Sequence, residues 1–477
     1  MTTAAHAAVP TSGPARHPQW LRGGRVRRHS PVASQSIHPP QPKTEAPMSQ
    51  PHYRDYGNPK AYDTSVRPTH GLTAARYAPA QIQRPDQAQP QSAWATQTRR
   101  VQEVSQHAKE VPVVSIATWL ALIGMGLFTI IVLGAFFLSF VMNASSSPIW
   151  WPVTAFLAGI SLLVIFGVIL LADRWDPQPI PLLLIAVLWG AAVAAGSSFL
   201  LNSINGRIFY AVGGEGFATW AGPVISAPLV EETTKGLGLI VLMLLARRYF
   251  NGPLDGMIYG ALIGGGFAFT ENIIYYTRIL EGAGAFGVVI LFVMRGVLNI
   301  FGHAIYTSLT GVIMGYVVRK WGTIIGLLSF LVATWPGMFL HAVWNLFAAF
   351  EGLPVMIAMF AVKAFISLLW LIFIVVLIWD EARLTRVRLG DYANQGWLTH
   401  EEVDMLGTWK GRREAKNWAA QMNAKPLMKK FIRDSADLAS VRQRLLADGA
   451  NPKVVELEAR LLSKLRSNRE ALLAAAR

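Results

Sequence analysis

Residues 225–245 read ISAPLVEETTKGLGLIVLMLL, an apolar run of membrane-crossing length with Glu231, Glu232 and Lys235 set inside it. A helix rises 1.5 Å per residue, so about 20 apolar residues cross the ~30 Å of bilayer hydrocarbon. An ionisable group at the centre of such a helix costs roughly 2.5–3.5 kcal/mol on insertion scales. Three further segments carry polar groups in the same way. GALIGGGFAFTEN (260–272) ends on Glu271 and Asn272, RGVLNIFGH (295–303) ends on His303, and WPGMFLHAVWNLF (335–347) holds His341 and Asn345. Shared chemistry explains these segments more economically than separate accidents do.

Outward from that stretch the sequence divides sharply. The chain of 477 residues is 52% hydrophobic and 15% charged, but residues 1–110 and 381–477 are polar and basic and supply most of the net charge of +15. Between them, apolar segments at 115–142, 149–172, 180–203, 226–248, 253–277, 297–318, 324–349 and 354–379 predict about eight transmembrane helices. The expected fold is therefore an all-α polytopic membrane protein, with residues 111–380 as its transmembrane domain. Segment 284–294 is too short to cross and reads as an interfacial or re-entrant piece. The N-terminal tail (1–110), rich in Pro, Gln, Ser and Ala, lacks periodic apolar positions and is expected to be disordered. Its first 30 residues hold no apolar core of a signal peptide. In the C-terminal tail (381–477), 436–450 and 451–476 read as two amphipathic helices broken at DGANP (448–452), without a catalytic motif.

Orientation follows from Lys and Arg in the short loops. DRWDPQP (173–179), ARRYFNGPLDG (246–256) and VRKWG (318–322) carry Arg174, Arg247, Arg248, Arg319 and Lys320, so they are placed inside. The opposite loops, NASSSP, NGRIFYAVGGEG and AFEGLP, carry only Arg207. Arg278 and Arg295 are exceptions to the pattern. An even number of spans then puts both termini in the cytoplasm of a cell-membrane protein. Basic tails beside a bilayer mark the cytoplasmic side and anionic lipid rather than nucleic acid. With this alternation, Glu231, Glu271, His303 and His341 all fall at a similar depth in the outer half of the bilayer.

The side chains at that depth suit hydrolysis. Glu231 and Lys235 are four apart and can pair on one helix face. Glu231 and Glu232 are adjacent carboxylates, and in low dielectric they resist ionising together, which suits one of them to general acid–base work. His341 and Asn345 are also four apart; the imidazole can shuttle a proton or bind a metal, and the amide can hold an oxyanion. Glu271 and His303 add a carboxylate and an imidazole from two more helices. Together they could activate water against an amide bond. There is no cysteine, which excludes thiol catalysis and thiolate metal sites. No HExxH or serine-nucleophile motif is present. Taken singly, each residue also has a structural reading: a Glu–Lys tie, a histidine bonding a neighbouring helix, Asn272 and Asn345 as interhelical glue. Their conjunction favours a site.

The order DRWDPQP, VEETTKG, DGMIYGALIGGGFAFTENIIYY, RGVLNIFGHAIYTSLTGVIMGY and FLHAVWN resembles the PrsW family of intramembrane proteases, within the wider group of CAAX-processing and bacteriocin-processing enzymes. The resemblance covers roughly residues 150–350. It implies a bacterial membrane endopeptidase, some of whose relatives cleave a single-pass anti-sigma factor. Position by position, the paired glutamates of the family fall on Glu231 and Glu232, its Glu–Asn motif on Glu271 and Asn272, and its two histidines on His303 and His341. The expected catalytic set is Glu231, Glu232, Glu271, His303, His341 and Asn345, with Glu231 as the water-activating base and Lys235 and Asn272 in support. A divalent metal such as zinc, if held, would take His303, His341 and Glu271. The partners expected are the bilayer and a membrane-embedded protein or peptide substrate. Two other readings stand beside this one: a proton-coupled secondary transporter, and a catalytically dead membrane scaffold. Clustering at one depth and the lack of an evident inverted repeat favour the protease over the transporter.

Overall fold

The computed structural model describes residues 150–350, 352–449 and 451–475, with scattered positions between 116 and 135. The N-terminal tail and most of the expected first span (115–142) lie outside the described residues. Every element assigned is helical. Among the described residues, five helical runs are long and apolar enough to cross a membrane: Trp150–Ala172, Ile180–Leu245, Pro253–Trp321, Thr323–Ala348 and Leu353–Ala393. The chain is a multi-pass membrane protein.

Two of these runs hold 66 and 69 residues. Straight, each would extend about 100 Å, three times the hydrocarbon thickness. Each reverses at a glycine instead. The second run comprises α2 (Ile180–Leu188), a π-helical turn (Trp189–Ala194), α3 (Ala195–Ala221), a second π-turn (Gly222–Ser226) and α4 (Ala227–Leu245). Inside α3, Gly214 has φ 72° and ψ −171°, a conformation that side chains with a Cβ rarely adopt. Phe209 and Phe217 flank it with ring centroids 5.5 Å apart, whereas eight residues of straight helix would separate them by about 12 Å. In the third run, α5 (Pro253–Leu291) breaks at Gly284, φ 61°. Beyond it Val288 joins Ile273, Tyr276 and Leu280 in one buried cluster with Ala158 of α1 (Trp150–Ala172). The returning leg continues through a π-turn (Phe292–Leu298) into α6 (Gly302–Trp321). Segment 284–294, expected as an interfacial or re-entrant piece, is thus the start of the leg that carries His303.

The remaining helices in this part are α7 (Thr323–Leu328), α8 (Phe330–Ala333), α9 (Trp335–Ala348) and α10 (Leu353–Ala393). The expected boundary at residue 380 is not a helix end, because α10 runs on through DEARLTRVRL to Ala393. Nor does the C-terminal tail stand wholly apart. Residues 436–460 cluster with the membrane-crossing helices up to Leu384. The reason is a set of polar ties from α13 (Lys425–Asp448) to three of the basic loops. Asp448 accepts from the Thr323 amide at 2.7 Å and pairs with Arg247 at 3.0 Å, Asp437 pairs with Arg248 at 2.9 Å, and Gln443 donates to the Arg319 carbonyl at 2.8 Å.

The second compact unit holds residues 385–435 and 461–475 among those described. It contains α11 (His400–Leu406), α12 (Trp409–Gln421) and parts of α10, α13 and α14 (Pro452–Ala475). Thr399 and Glu402 form a reciprocal capping box that starts α11. Arg469 pairs with the same Glu402 at 2.6 Å.

Asp255 serves structure, as its Asp–Gly context suggests. Its carboxylate accepts from the amides of Asn251 (2.7 Å) and Gly252 (3.2 Å) and caps α5. Gln178 donates to Asp255 at 2.8 Å and accepts from Tyr259 at 2.8 Å, which ties DRWDPQP to the start of α5.

Candidate active site

Close backbone approach places the site. A Cβ on Gly264 of α5 would lie 2.2 Å from the carbonyl oxygen of His303, and one on Gly256 would lie 1.9 Å from that of Gly311. Only hydrogen fits between α5 and α6 at these points. His303 is therefore held against α5 about two turns before Glu271. Its Nε2 lies 2.8 Å from Glu271 Oε2.

α4 supplies the centre. Lys235 and Glu232 are both fully buried. The Lys235 ammonium donates to Glu232 Oε1 at 2.9 Å, to Glu231 Oε2 at 3.3 Å and to His303 Nδ1 at 2.9 Å. The Phe267 ring lies against it, 3.7 Å from Nζ to centroid. The sequence reading paired Lys235 with Glu231. In the structure the lysine reaches back to both carboxylates, and the shorter contact is to Glu232.

The two glutamates differ in how tightly they are held. Glu232 Oε1 accepts from Lys235 and from His341 Nδ1 at 3.0 Å, and its Oε2 accepts from Thr307 at 3.0 Å. Glu231 has longer contacts: Lys235 at 3.3 Å, Asn202 at 3.5 Å and His341 Nε2 at 3.9 Å. Glu232 is thus a fixed hub, and Glu231 is the carboxylate with room to take a new partner.

The histidines follow one pattern. An ammonium only donates, so His303 accepts at Nδ1 and gives its Nε2 proton to Glu271. A carboxylate only accepts, so His341 gives its Nδ1 proton to Glu232 and turns Nε2 toward Glu231. Each imidazole is oriented by a carboxylate on one nitrogen, the arrangement that supports histidines as metal ligands. Glu231, His303 and His341, all buried, each offer a ligand atom within 4.8 Å of the other two. A Glu–His–His set suits zinc, so the donors fit a metal. In this set of donors the carboxylate is Glu231, where the sequence reading offered Glu271 as the candidate. Glu271 Oε2 is engaged by Arg295 Nη2 at 2.5 Å as well as by His303. Lys235 touches the same donors and would compete with the ion.

Asn272 accepts from Arg295 Nε at 2.9 Å, so it supports the site through that guanidinium. Asn345 stands apart. Its amide donates to the Pro223 carbonyl at 2.8 Å, a tie between α9 and the second π-turn. The sequence reading cast it as an oxyanion donor; in the structure one of its two amide N–H groups is engaged by this tie.

Several residues here went unread in the sequence. Arg295 was counted as a topological exception, yet its charge answers Glu271. Thr307 and Asn202 are neutral helix residues that carry no signal of their own. Tyr306 stacks on His341, with centroids 5.1 Å apart and planes at 16°.

Residues 178–378 match the PrsW family intramembrane metalloprotease. Protease PrsW of Bacillus subtilis (strain 168) is 30% identical over 162 residues, 34% of this chain and 64% of that protein. Protease PrsW of Geobacillus kaustophilus (strain HTA426) is 27% identical over 168 residues, 34% of this chain and 65% of its own length. The chain thus spans just under two thirds of each relative. No solved structure matches it at comparable significance. The family is one of intramembrane hydrolases, and the buried Glu231–His303–His341 cluster lies within the matched residues.

Proposed function

We propose that the chain is an intramembrane endopeptidase that hydrolyses peptide bonds of membrane-embedded proteins with a water activated by Glu231. The observation that carries this reading is the contrast between the two adjacent glutamates. Glu232 is fixed by Lys235, His341 and Thr307, while Glu231 is loosely held beside Nε2 of His341. Glu231 takes a proton from water as the oxygen attacks the scissile carbonyl carbon. Once protonated, Glu231 releases its 3.3 Å contact, and the Lys235 ammonium, still aimed by Glu232 and His303, turns that proton to the resulting oxyanion. Breakage of the C–N bond returns the proton to the leaving amine. Glu271 and Arg295 hold His303, and Glu232 holds His341.

A divalent ion, when bound by Glu231, His303 and His341, supplies Lewis-acid polarisation of the carbonyl. The base role and the ligand role draw on the same carboxylate, and the metal content of the purified protein separates them.

We also propose eight spans with both termini cytoplasmic, and a single-pass membrane protein as substrate, an anti-sigma factor being the target the resemblance implies. Two of the helical runs accommodate two crossings each, which supports the count. The test is incubation of the reconstituted protein with candidate single-pass proteins, wild type against Glu231→Gln, with products identified by mass spectrometry. Cleavage by wild type alone supports the reading; equal products from both proteins overturn it.

A further inference from the structure

The charged groups of the site described so far lie between α4 and α9. One more buried charge comes from α10. Lys363, in MFAVKAFISLLW (359–370), is the single charged residue of the expected span 354–379 and is 3% exposed. Its ammonium donates to the Tyr306 hydroxyl at 2.9 Å and lies 5.1 Å from the centroid of the Trp344 ring. Tyr306 is the residue whose ring stacks on His341. A continuous line therefore runs from Lys363 through Tyr306 to His341 and on to Glu232.

We propose that Lys363 is a positioning residue: by clamping the Tyr306 hydroxyl it fixes the plane of the His341 imidazole, and with it the direction of Nε2 toward Glu231. The proposal rests on the protease reading above for its effect on turnover, and on geometry alone for its effect on the ring. Two contacts would otherwise leave the imidazole a degree of freedom. The Nδ1 bond to Glu232 permits rotation about the bond direction, and the T-shaped contact with His303, centroids 5.1 Å apart, supports only one edge. A stacked phenol removes that rotation only if the phenol is itself held.

The plain alternative is that Lys363 docks α10. A second clamp already serves docking. Seven residues on and on the same helix face, Trp370 Nε1 donates to Ser308 Oγ of α6 at 2.9 Å. An apolar side chain at 363 would dock a lipid-facing helix without burying an ammonium, which is costly at this depth. The charge is explained by what it does to Tyr306.

The test uses the full chain in nanodiscs with a cleavable single-pass substrate. Lys363→Met should lower kcat about 10–100-fold, the range for partners that orient a ligating histidine, with KM and the thermal midpoint nearly unchanged. Lys363→Arg, which can still donate to the hydroxyl, should recover most of the loss. Tyr306→Phe should reproduce Lys363→Met, and the double variant should be no worse than either. Trp370→Phe, which removes only the docking clamp, should leave kcat as in wild type. Equal losses from Lys363→Met and Trp370→Phe, or additive losses from Lys363→Met and Tyr306→Phe, overturn the proposal. Ring ¹⁵N spectra of histidine-labelled protein, assigned through His341→Gln, need no turnover. The His341 signals should broaden or double in Lys363→Met and Tyr306→Phe but not in Trp370→Phe; unchanged signals overturn the proposal whether or not the protein cleaves. Absence of cleavage by wild type, with the spectral change present, counts against the protease reading alone.

Discussion

The Lys235 ammonium lies 2.9 Å from Nδ1 of His303 and therefore occupies, with a positive charge, the space where two of the three candidate metal donors meet. Like charges in a buried site repel strongly, so lysine and metal compete for Glu231 and His303. Lys235→Met should bind zinc at least about tenfold more tightly than wild type, a gain of ~1.4 kcal/mol. Competition against a chromophoric chelator measures this on the purified protein without any substrate. Equal or weaker binding would mean that Lys235 holds the donors together and does not exclude the ion.

The two adjacent glutamates should separate function from folding. Glu231→Gln should lose about 10²–10⁴-fold in cleavage, the scale of general-base catalysis, with the thermal midpoint kept. Glu232→Gln leaves Lys235 and His341 short of a buried charged acceptor. Breaking a buried pair in this way costs about 3–5 kcal/mol, so this variant should lose midpoint as well as activity. Thermal unfolding in detergent beside a cleavage assay reads both. A stable, active Glu232→Gln would remove it as the hub.

Asn345 tests where sequence and structure part. An oxyanion donor removed by mutation costs about 10²–10³-fold. With its amide on the Pro223 carbonyl, Asn345→Ala should instead change cleavage by less than about threefold, because a neutral hydrogen bond contributes only about 0.5–1.5 kcal/mol. A loss of a hundredfold in kcat would restore the oxyanion role.

Gly264 tests the helix contact that seats His303. Its absent Cβ would meet backbone, which cannot swing aside, so Gly264→Ala must push α6 from α5. Overpacking of this kind costs about 1–3 kcal/mol, and the His303–Glu271 contact should open with it. Gly282→Ala, at a position with open space around it, is the control. Similar midpoints and activities for the two variants would show that the α5–α6 interface is not what fixes His303.

The site was legible where charge stands alone in apolar sequence. Glu231, Glu232, Lys235, Glu271, His303 and His341 were all found that way, and the structure brings them into one network. The same rule points at Lys363, whose span is otherwise apolar, and it passed unread because no motif surrounds it. Arg295 was misread for a different reason: a cation flanking a span looks the same in sequence whether it answers a loop rule or a buried carboxylate. Tyr306, Thr307 and Asn202 could not be found, since neutral polar residues are common in membrane helices and only packing gives them a role. The reversals at Gly214 and Gly284 agree with the segment boundaries, but the start of the sixth leg near residue 285 was hidden by Arg295 inside it. Likewise α10 passes residue 380 without a break because helix continuation needs no apolar residues once the chain leaves the bilayer.

Topology can be tested through the ties of α13. The loops at 173–179, 246–256 and 318–322 are assigned to one side from their Lys and Arg alone. All three bond the same stretch of α13: Ser440 to Asp176 at 3.3 Å, Asp437 and Asp448 to Arg248 and Arg247, and Gln443 to Arg319. Loops on opposite faces of a ~30 Å hydrocarbon layer could not share a 12-residue stretch of helix. The charge rule predicts that this side is cytoplasmic. A reporter fused after Arg477 should therefore read as cytoplasmic, and so should one at Gly13 if eight spans precede the tail. The two fusions test different things. An external signal from the C-terminal fusion would reverse the inside assignment and move the glutamates and histidines to the inner half of the bilayer. An external signal from Gly13 alone would leave the site where it is and remove the span at 115–142.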